Sequence, residues 1–204
     1  MNIDNLKRVF IHEIGHFVSR ELNYEHYQIG LGTEQIYIEA HKFPKTIEYT
    51  GGATAIKPKG YIDNGEVENP IEYMAVILYG CILQTLYLKS KDDYEFRICF
   101  SISNGANGKL DAEEFSAMEK YLAGPKRKKI VEFIETEYLN KLSADQNHLK
   151  KLFELDPLKF VEIRNERLFV NLDLLRECLR TFMIEHQEYY SDFINNIKLI
   201  KNER

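Results

Sequence analysis

The sequence predicts a mainly α protein with a small antiparallel β-sheet, and three observations carry that prediction. Residues 4–22 place Leu6, Phe10, Ile14, Phe17, Val18 and Leu22 at helical spacing, around well over half the helix circumference, which marks a helix buried on most sides. Residues 27–56 instead read as short alternating apolar–polar runs broken by Gly and Pro, "YQIGLGTEQIYIEAH" and "KTIEYTGGATAI", the pattern of a small hairpin sheet. The apolar run "YMAVILYGCILQTLYL" at 73–88 and the segments after residue 110 return to helical periodicity.

Each element has its own signals. Asn2 or Asp4 can cap the first helix, since a short side-chain oxygen accepts from a free N–H of the first turn. "KPKGYIDNGEVE" is a polar loop, and "NPIEYMAVILYG" starts the next helix: Asn69 is the N-cap, Pro70 presets φ, and Glu72 is placed to return a bond to the cap. "SISNGANGK" is a loop rich in Gly and Asn, and "LDAEEFSAMEKYLAG" is a helix ended by Gly124-Pro125. From 126 onward the pattern is helical, with breaks near Ser143-Ala144-Asp145 and Asp156-Pro157. The expected organisation is a core over 1–124 and a helical C-terminal region over 125–204 packed on the same domain.

Composition narrows the function classes. The chain has 204 residues, 44% of them hydrophobic, enough for a real core. Net charge is −5 and the positive charges are dispersed, so no nucleic-acid footprint is expected; the run Lys126-Arg127-Lys128-Lys129 reads as a solvated helix end. Cys81, Cys99 and Cys178 are scattered and never form a CxxC pair, which argues against a disulfide framework and against a thiolate zinc site. Polar and charged residues interrupt the first ten positions and Gln84-Thr85 break the longest apolar run, so neither a leader nor a membrane span is expected. The resulting expectation is a soluble cytoplasmic protein.

The chemistry concentrates in "VFIHEIGHFV", residues 9–18. His12 and His16 are four apart, so on a helix they lie one turn apart and only about 40° apart around the axis, where two imidazoles can hold one metal ion. Glu13 stands beside them, placed to take a proton from a metal-activated water rather than to ligate, which is the mechanical content of H-E-x-x-H. A chance match is the competing reading. Against it, a helix this apolar needs partners for buried His and Glu, and Gly15 inside a helix costs about 1 kcal/mol against Ala, which suggests a second backbone passing close by. Leu22 stands where the metzincin pattern needs a third histidine. A Glu ligand on the following helix, as in thermolysin-like or ImmA-like enzymes, would fall on Glu72, and His26 is a further outside candidate. Isolated His41, His148 and His186 read as surface or satisfied polar residues, Tyr189-Tyr190 as packing, and Cys81 as a small buried hydrophobe.

The order of HEIGH helix, hairpin ending "YTGGATAI", then "IEYMAVILYGCILQ" resembles the peptidase domain of the FtsH-type membrane AAA proteases, over about residues 5–123. That family carries HEAGH, a hairpin with a "GYT"-like element and a helix of the form "AVLLGGRAAE"; Ala75, Val76, Leu78 and Gly80 match in register, while Tyr79, Cys81, Ile82, Leu83 and Gln84 do not. The family's third zinc ligand is an aspartate from "GASND" before a helix. The corresponding stretch is "NGANGKLDAEEF", where Gly105 and Ala106 match, strict register gives Lys109, and two extra loop residues give Asp111. The resemblance thus implies an FtsH protease-like multi-helical fold and Zn2+ held by His12, His16 and Asp111, with Glu113 and Glu114 as neighbouring alternatives and Glu13 as general base. Asp111 also has two readings of its own: an N-cap with Glu114 closing a capping box, or part of an EF-hand-like loop that lacks its first ligands at Ser103 and Gly105.

The expected function is zinc-dependent hydrolysis of peptide bonds in an extended peptide or unfolded protein laid along the sheet edge. No GxxxxGK[ST] phosphate loop is present, so the resemblance implies no ATP-driven activity within this chain; a separate ATPase partner is compatible, as is the homo-oligomer that FtsH-type domains form. Two alternatives stand beside this reading: a catalytically degenerate peptidase fold serving as a binding or regulatory module, and an ImmA-like regulatory peptidase with a Glu ligand.

Overall fold

The structure is a computed structural model that describes residues 2–57, 66–89, 94–103, 106–122 and 124–203. The polar loop expected after residue 56 lies largely outside the described residues, as does Gly105.

Helix α1 runs from Ile3 to Tyr27 and is capped by Asn2, whose side chain accepts from the Asn5 N–H at 3.2 Å. It continues more than a turn past the expected end at residue 22. Tertiary contacts carry the extension: the Asn23 amide donates to the Glu72 carbonyl at 3.2 Å, Tyr190 donates to Asn23 Oδ1 at 2.8 Å, and the Tyr27 hydroxyl donates to Ser191. The helix stops where Gln28 turns left-handed at φ 56° and its N–H returns to the Asn23 carbonyl.

Strands β1 (Thr33–Lys42) and β2 (Ile47–Ala55) form the expected antiparallel hairpin. Helix α2 spans Pro70–Lys89, with Pro70 at its first position as predicted. By length and composition α2 could cross a membrane, yet 89% of its most apolar stretch is buried inside the protein. It crosses α1 at Gly15, where a Cβ would sit 2.3 Å from the Tyr79 carbonyl oxygen, so the second backbone that Gly15 suggested is α2 itself.

Short helix α3 (Phe96–Cys99) and helix α4 (Lys109–Met118) follow. Beyond Gly124, which turns at φ 87°, come α5 (Arg127–Phe133), a π-helical stretch Ile134–Tyr138, α6 (Leu139–Ala144), and α7 (Gln146–Phe153). The chain ends in the long helix α8 (Leu172–Asn202), capped by Asn171.

One departure from the all-helical expectation after 126 is a second hairpin, β3 (Val161–Arg164) and β4 (Arg167–Val170). Asn165 and Glu166 both take positive φ, 49° and 65°, the two-residue turn whose twist matches paired strands. β4 pairs with β1, giving a four-stranded antiparallel sheet of order β2-β1-β4-β3 with β2 at one edge.

The C-terminal region shares the core of the N-terminal one. Leu175, Leu179, Phe182, Tyr190, Phe193 and Ile197 of α8 belong to the same buried cluster as Phe10, Ile14 and Phe17 of α1 and Leu78 and Ile82 of α2. A buried polar junction ties the layers together: Glu21 of α1 accepts from the Thr33 N–H at 2.8 Å and from Arg176 Nε of α8 at 3.0 Å.

Candidate metal centre

The buried face of α1 presents His12 and His16 to α2 and to the start of α4. Their Nε2 atoms lie 3.2 Å apart. Asp111, at the third position of α4, closes the triangle: its Oδ2 is 3.0 Å from His12 Nε2 and its Oδ1 is 3.4 Å from His16 Nε2. Two donors each about 2.0–2.1 Å from one tetrahedral ion stand roughly 3.3–3.4 Å apart, so these three side chains fit a single metal ion without rearrangement. Two imidazoles and a carboxylate suit a divalent transition cation.

The outer contacts favour the same use. His16 Nδ1 is 2.8 Å from the Val76 carbonyl of α2; a carbonyl only accepts, so Nδ1 carries a proton and Nε2 is the nitrogen that faces the triangle. Glycine at position 80 makes the room, since a Cβ there would lie 2.6 Å from His16 Nε2 and 2.8 Å from His12 Nε2. Asn107 donates to Gln84 Oε1 at 3.2 Å, tying to α2 the loop that leads into α4, the helix that carries Asp111.

Glu13 stands beside the triangle, almost fully buried, with its Oε2 lacking a hydrogen-bond partner. Buried polar atoms are nearly always partnered, so such an atom calls for a functional account. The carboxylate slides under β2, where a Cβ on Gly51 would stand 2.5 Å from its Oε1. Histidines, Glu13, Asp111 and residues 49–53 of β2 together line a cleft of about 840 Å³.

Charge is balanced within the cluster. Burial would lower the His12 pKa, but the Asp111 charge and hydrogen bond, aided by Cys99, hold it well above its ordinary value. Burial would raise Asp111, and the His16 and His12 charges outweigh it, so its pKa is lowered. Glu13 is raised, chiefly by burial, with the two histidines opposing.

The other sequence candidates fall away from the triangle. Lys109, the strict-register position, faces Glu113 at 3.8 Å; Glu113 is exposed, and Glu114 accepts from the Tyr73 hydroxyl. Glu72 is buried but pairs with Lys198 Nζ at 2.7 Å, which replaces both its capping and its ligand readings. His26 is exposed on the last turn of α1. Gly108 is the N-cap of α4 and makes no side-chain cap, so the carboxylate of Asp111 serves the histidines rather than the helix end.

Three sequence readings change in detail. His148 and His186 are satisfied polar residues, as one branch of the expectation had it, but they are buried and paired rather than isolated: His148 Nε2 meets His186 Nδ1 at 2.7 Å, and His186 Nε2 meets the Tyr79 hydroxyl at 2.9 Å. Cys81 is buried in the apolar core as expected, yet it also has a polar neighbour, donating to Asp111 Oδ2 at 3.9 Å. Cys99 lies 3.9 Å from His12 Nδ1, so Cys81 and Cys99 gather at the centre despite lacking a CxxC spacing, while Cys178 is exposed. No local pattern announces that gathering, because α2 and α3 meet only in the folded chain. Comparison with family models, curated proteins and solved structures gives no match to this chain.

Proposed function

We propose that this chain is a zinc-dependent peptidase, with His12, His16 and Asp111 as the metal ligands and Glu13 as general base. The observation that carries the reading is the convergence of three donors at one-ion spacing beside a buried carboxylate whose Oε2 lacks a hydrogen-bond partner. Zinc is the cation best suited to this nitrogen and carboxylate set in a hydrolase, where it acidifies water and polarises a carbonyl. Glu13, whose affinity for a proton is raised by burial, accepts the proton of the attacking water and delivers it to the departing amine. His16 and Val76, and Asp111 on the first turn of α4, hold their groups rigid so that little reorganisation accompanies the step.

The substrate class follows from the sheet. β2 is an edge strand and its residues 49–53 line the cleft; the Tyr49 N–H already donates to Asn5 Oδ1 at 2.6 Å, so an extended peptide would pair with the backbone beyond Tyr49 and pass over Glu13. An unfolded segment can offer such a strand along its whole length, which suits delivery by a separate ATPase, and the free thiols of Cys81, Cys99 and Cys178 suit a reducing compartment. The degenerate-module alternative rested on Lys109 at the third ligand position; the distances from Asp111 to both histidines favour the active reading instead. The ImmA-like alternative needs Glu72, which pairs with Lys198.

The test is cleavage of an unfolded reference protein by zinc-loaded wild type and by Glu13→Gln. The variant should keep its zinc and lose activity by about 10²–10⁴-fold. A wild type that holds zinc yet cleaves nothing, or a Glu13→Gln variant as active as wild type, would overturn the assignment.

A further inference from the structure

The two sulfurs beside His12 are arranged as a site in their own right. Cys81 of α2 and Cys99 at the end of α3 are both fully buried free thiols. Their sulfur atoms and a ring nitrogen of His12 all lie within 4.8 Å of one another. The nitrogen facing Cys99 Sγ, at 3.9 Å, is Nδ1, on the opposite edge of the ring from the Nε2 that faces His16 and Asp111. The Cys81 thiol meets Asp111 Oδ2 at 3.9 Å. Packing of small hydrophobes accounts for burial of two cysteines, but not for both sulfurs turning to polar atoms of one cluster.

We infer that Cys81, Cys99 and His12 Nδ1 form a second cation site, for a thiophilic divalent ion of the zinc or cadmium class, sharing His12 with the first site. Around such an ion a thiolate sulfur and an imidazole nitrogen stand roughly 3.6 Å apart, so the observed 3.9 Å closes with a shift of a few tenths of an ångström. The packing around the pocket is already cut to the sulfur: a Cβ on Gly108 would lie 2.2 Å from Cys81 Sγ.

The chemistry balances without any change of oxidation state. The entering ion displaces the protons of both thiols and, when the first site is filled through Nε2, the Nδ1 proton of His12, and all three leave to solvent. Two thiolates, a bridging imidazolate and the Asp111 carboxylate then offset two divalent cations, which satisfies the requirement that buried charge be paired. Glu13 takes no part in this site, which does not depend on peptidase activity.

Titration of the reduced, metal-free full chain with Co2+ tests it, because thiolate ligation gives a near-ultraviolet charge-transfer band that nitrogen and carboxylate ligation do not. Wild type should take up two ions, with the band following one of them. Cys81→Ala/Cys99→Ala should take up one ion and show no band, and Asp111→Asn should retain the band. A single ion without the band in wild type would overturn the second site, and that result needs no variant to fold. A band that survives loss of both cysteines would overturn it equally. A single ion that carries the band and persists in Asp111→Asn would keep this site and remove the first.

Discussion

Gly80 and Gly51 matter for what they leave out. Gly80 gives the imidazoles their space, and Gly51 gives Glu13 its passage beneath β2. Gly80→Ala would press a methyl group into both Nε2 atoms, so cation affinity should fall at least about tenfold, while overpacking costs about 1–3 kcal/mol of stability. On the proposed function, Gly51→Ala should spare cation binding and depress turnover, because it moves Glu13, the proposed base, and not the proposed ligands. Competitive chelator titration and peptide cleavage separate the two, and unchanged affinity in Gly80→Ala would refute the packing argument. At this scale His12, Glu13 and His16 were legible because the geometry of adjacent helical turns is local. Asp111 was reachable only through a resemblance and a two-residue shift of register. Cys81 reads in the sequence as a small buried hydrophobe and Cys99 only as a scattered cysteine, since no spacing rule encodes a contact made by the packing of α2 on α3.

The α1–α2 crossing is the element on which the centre depends. Gly15 lets the Tyr79 carbonyl approach, and the same contact brings Val76 to His16 and Gly80 to the histidine pair. Gly15→Ala improves helix propensity by about 1 kcal/mol, yet a Cβ 2.3 Å from a backbone oxygen must push the helices apart. The variant should therefore lose about 1–3 kcal/mol net in urea unfolding, and a more stable variant would contradict this crossing. Long helices and the first hairpin were legible from apolar period and turn residues. The second hairpin was not, although "VEIRNERLFV" alternates around Asn165, because the four-residue strands owe their pairing to β1. The true end of α1 was missed for the same reason: Asn23 and Tyr27 are polar or amphipathic residues held by α2 and α8.

Across the whole molecule, a buried polar chain runs through the core from the α1–α2 crossing toward the surface. Tyr79 meets the hydroxyl of Tyr138 and Nε2 of His186, and His186 leads to His148, whose Nδ1 is 3.7 Å from Glu185. Burial first, and then the neighbouring His148, hold His186 down to about 3. Burial also lowers His148, with Asp145 and Glu185 opposing. An unfolded histidine titrates near 6.5, so between these values the unfolded chain binds the extra proton. Stability from His186 is therefore complete above about pH 6.5 and is lost as pH falls toward 3. Wild type should lose about 2 kcal/mol more than His186→Gln between pH 6.5 and 5 by urea unfolding. Equal pH slopes would mean that His186 is protonated in the folded protein. The sequence showed two lone histidines here because their partners lie 38 and 107 residues away.

The proposed chemistry requires one cation held by His12, His16 and Asp111. Anomalous diffraction at the zinc edge, from crystals grown without chelator, detects such an ion. A peak is expected within bonding distance of both Nε2 atoms and an Asp111 carboxylate oxygen. A map with no peak there, or with the ion held by other side chains, would contradict it.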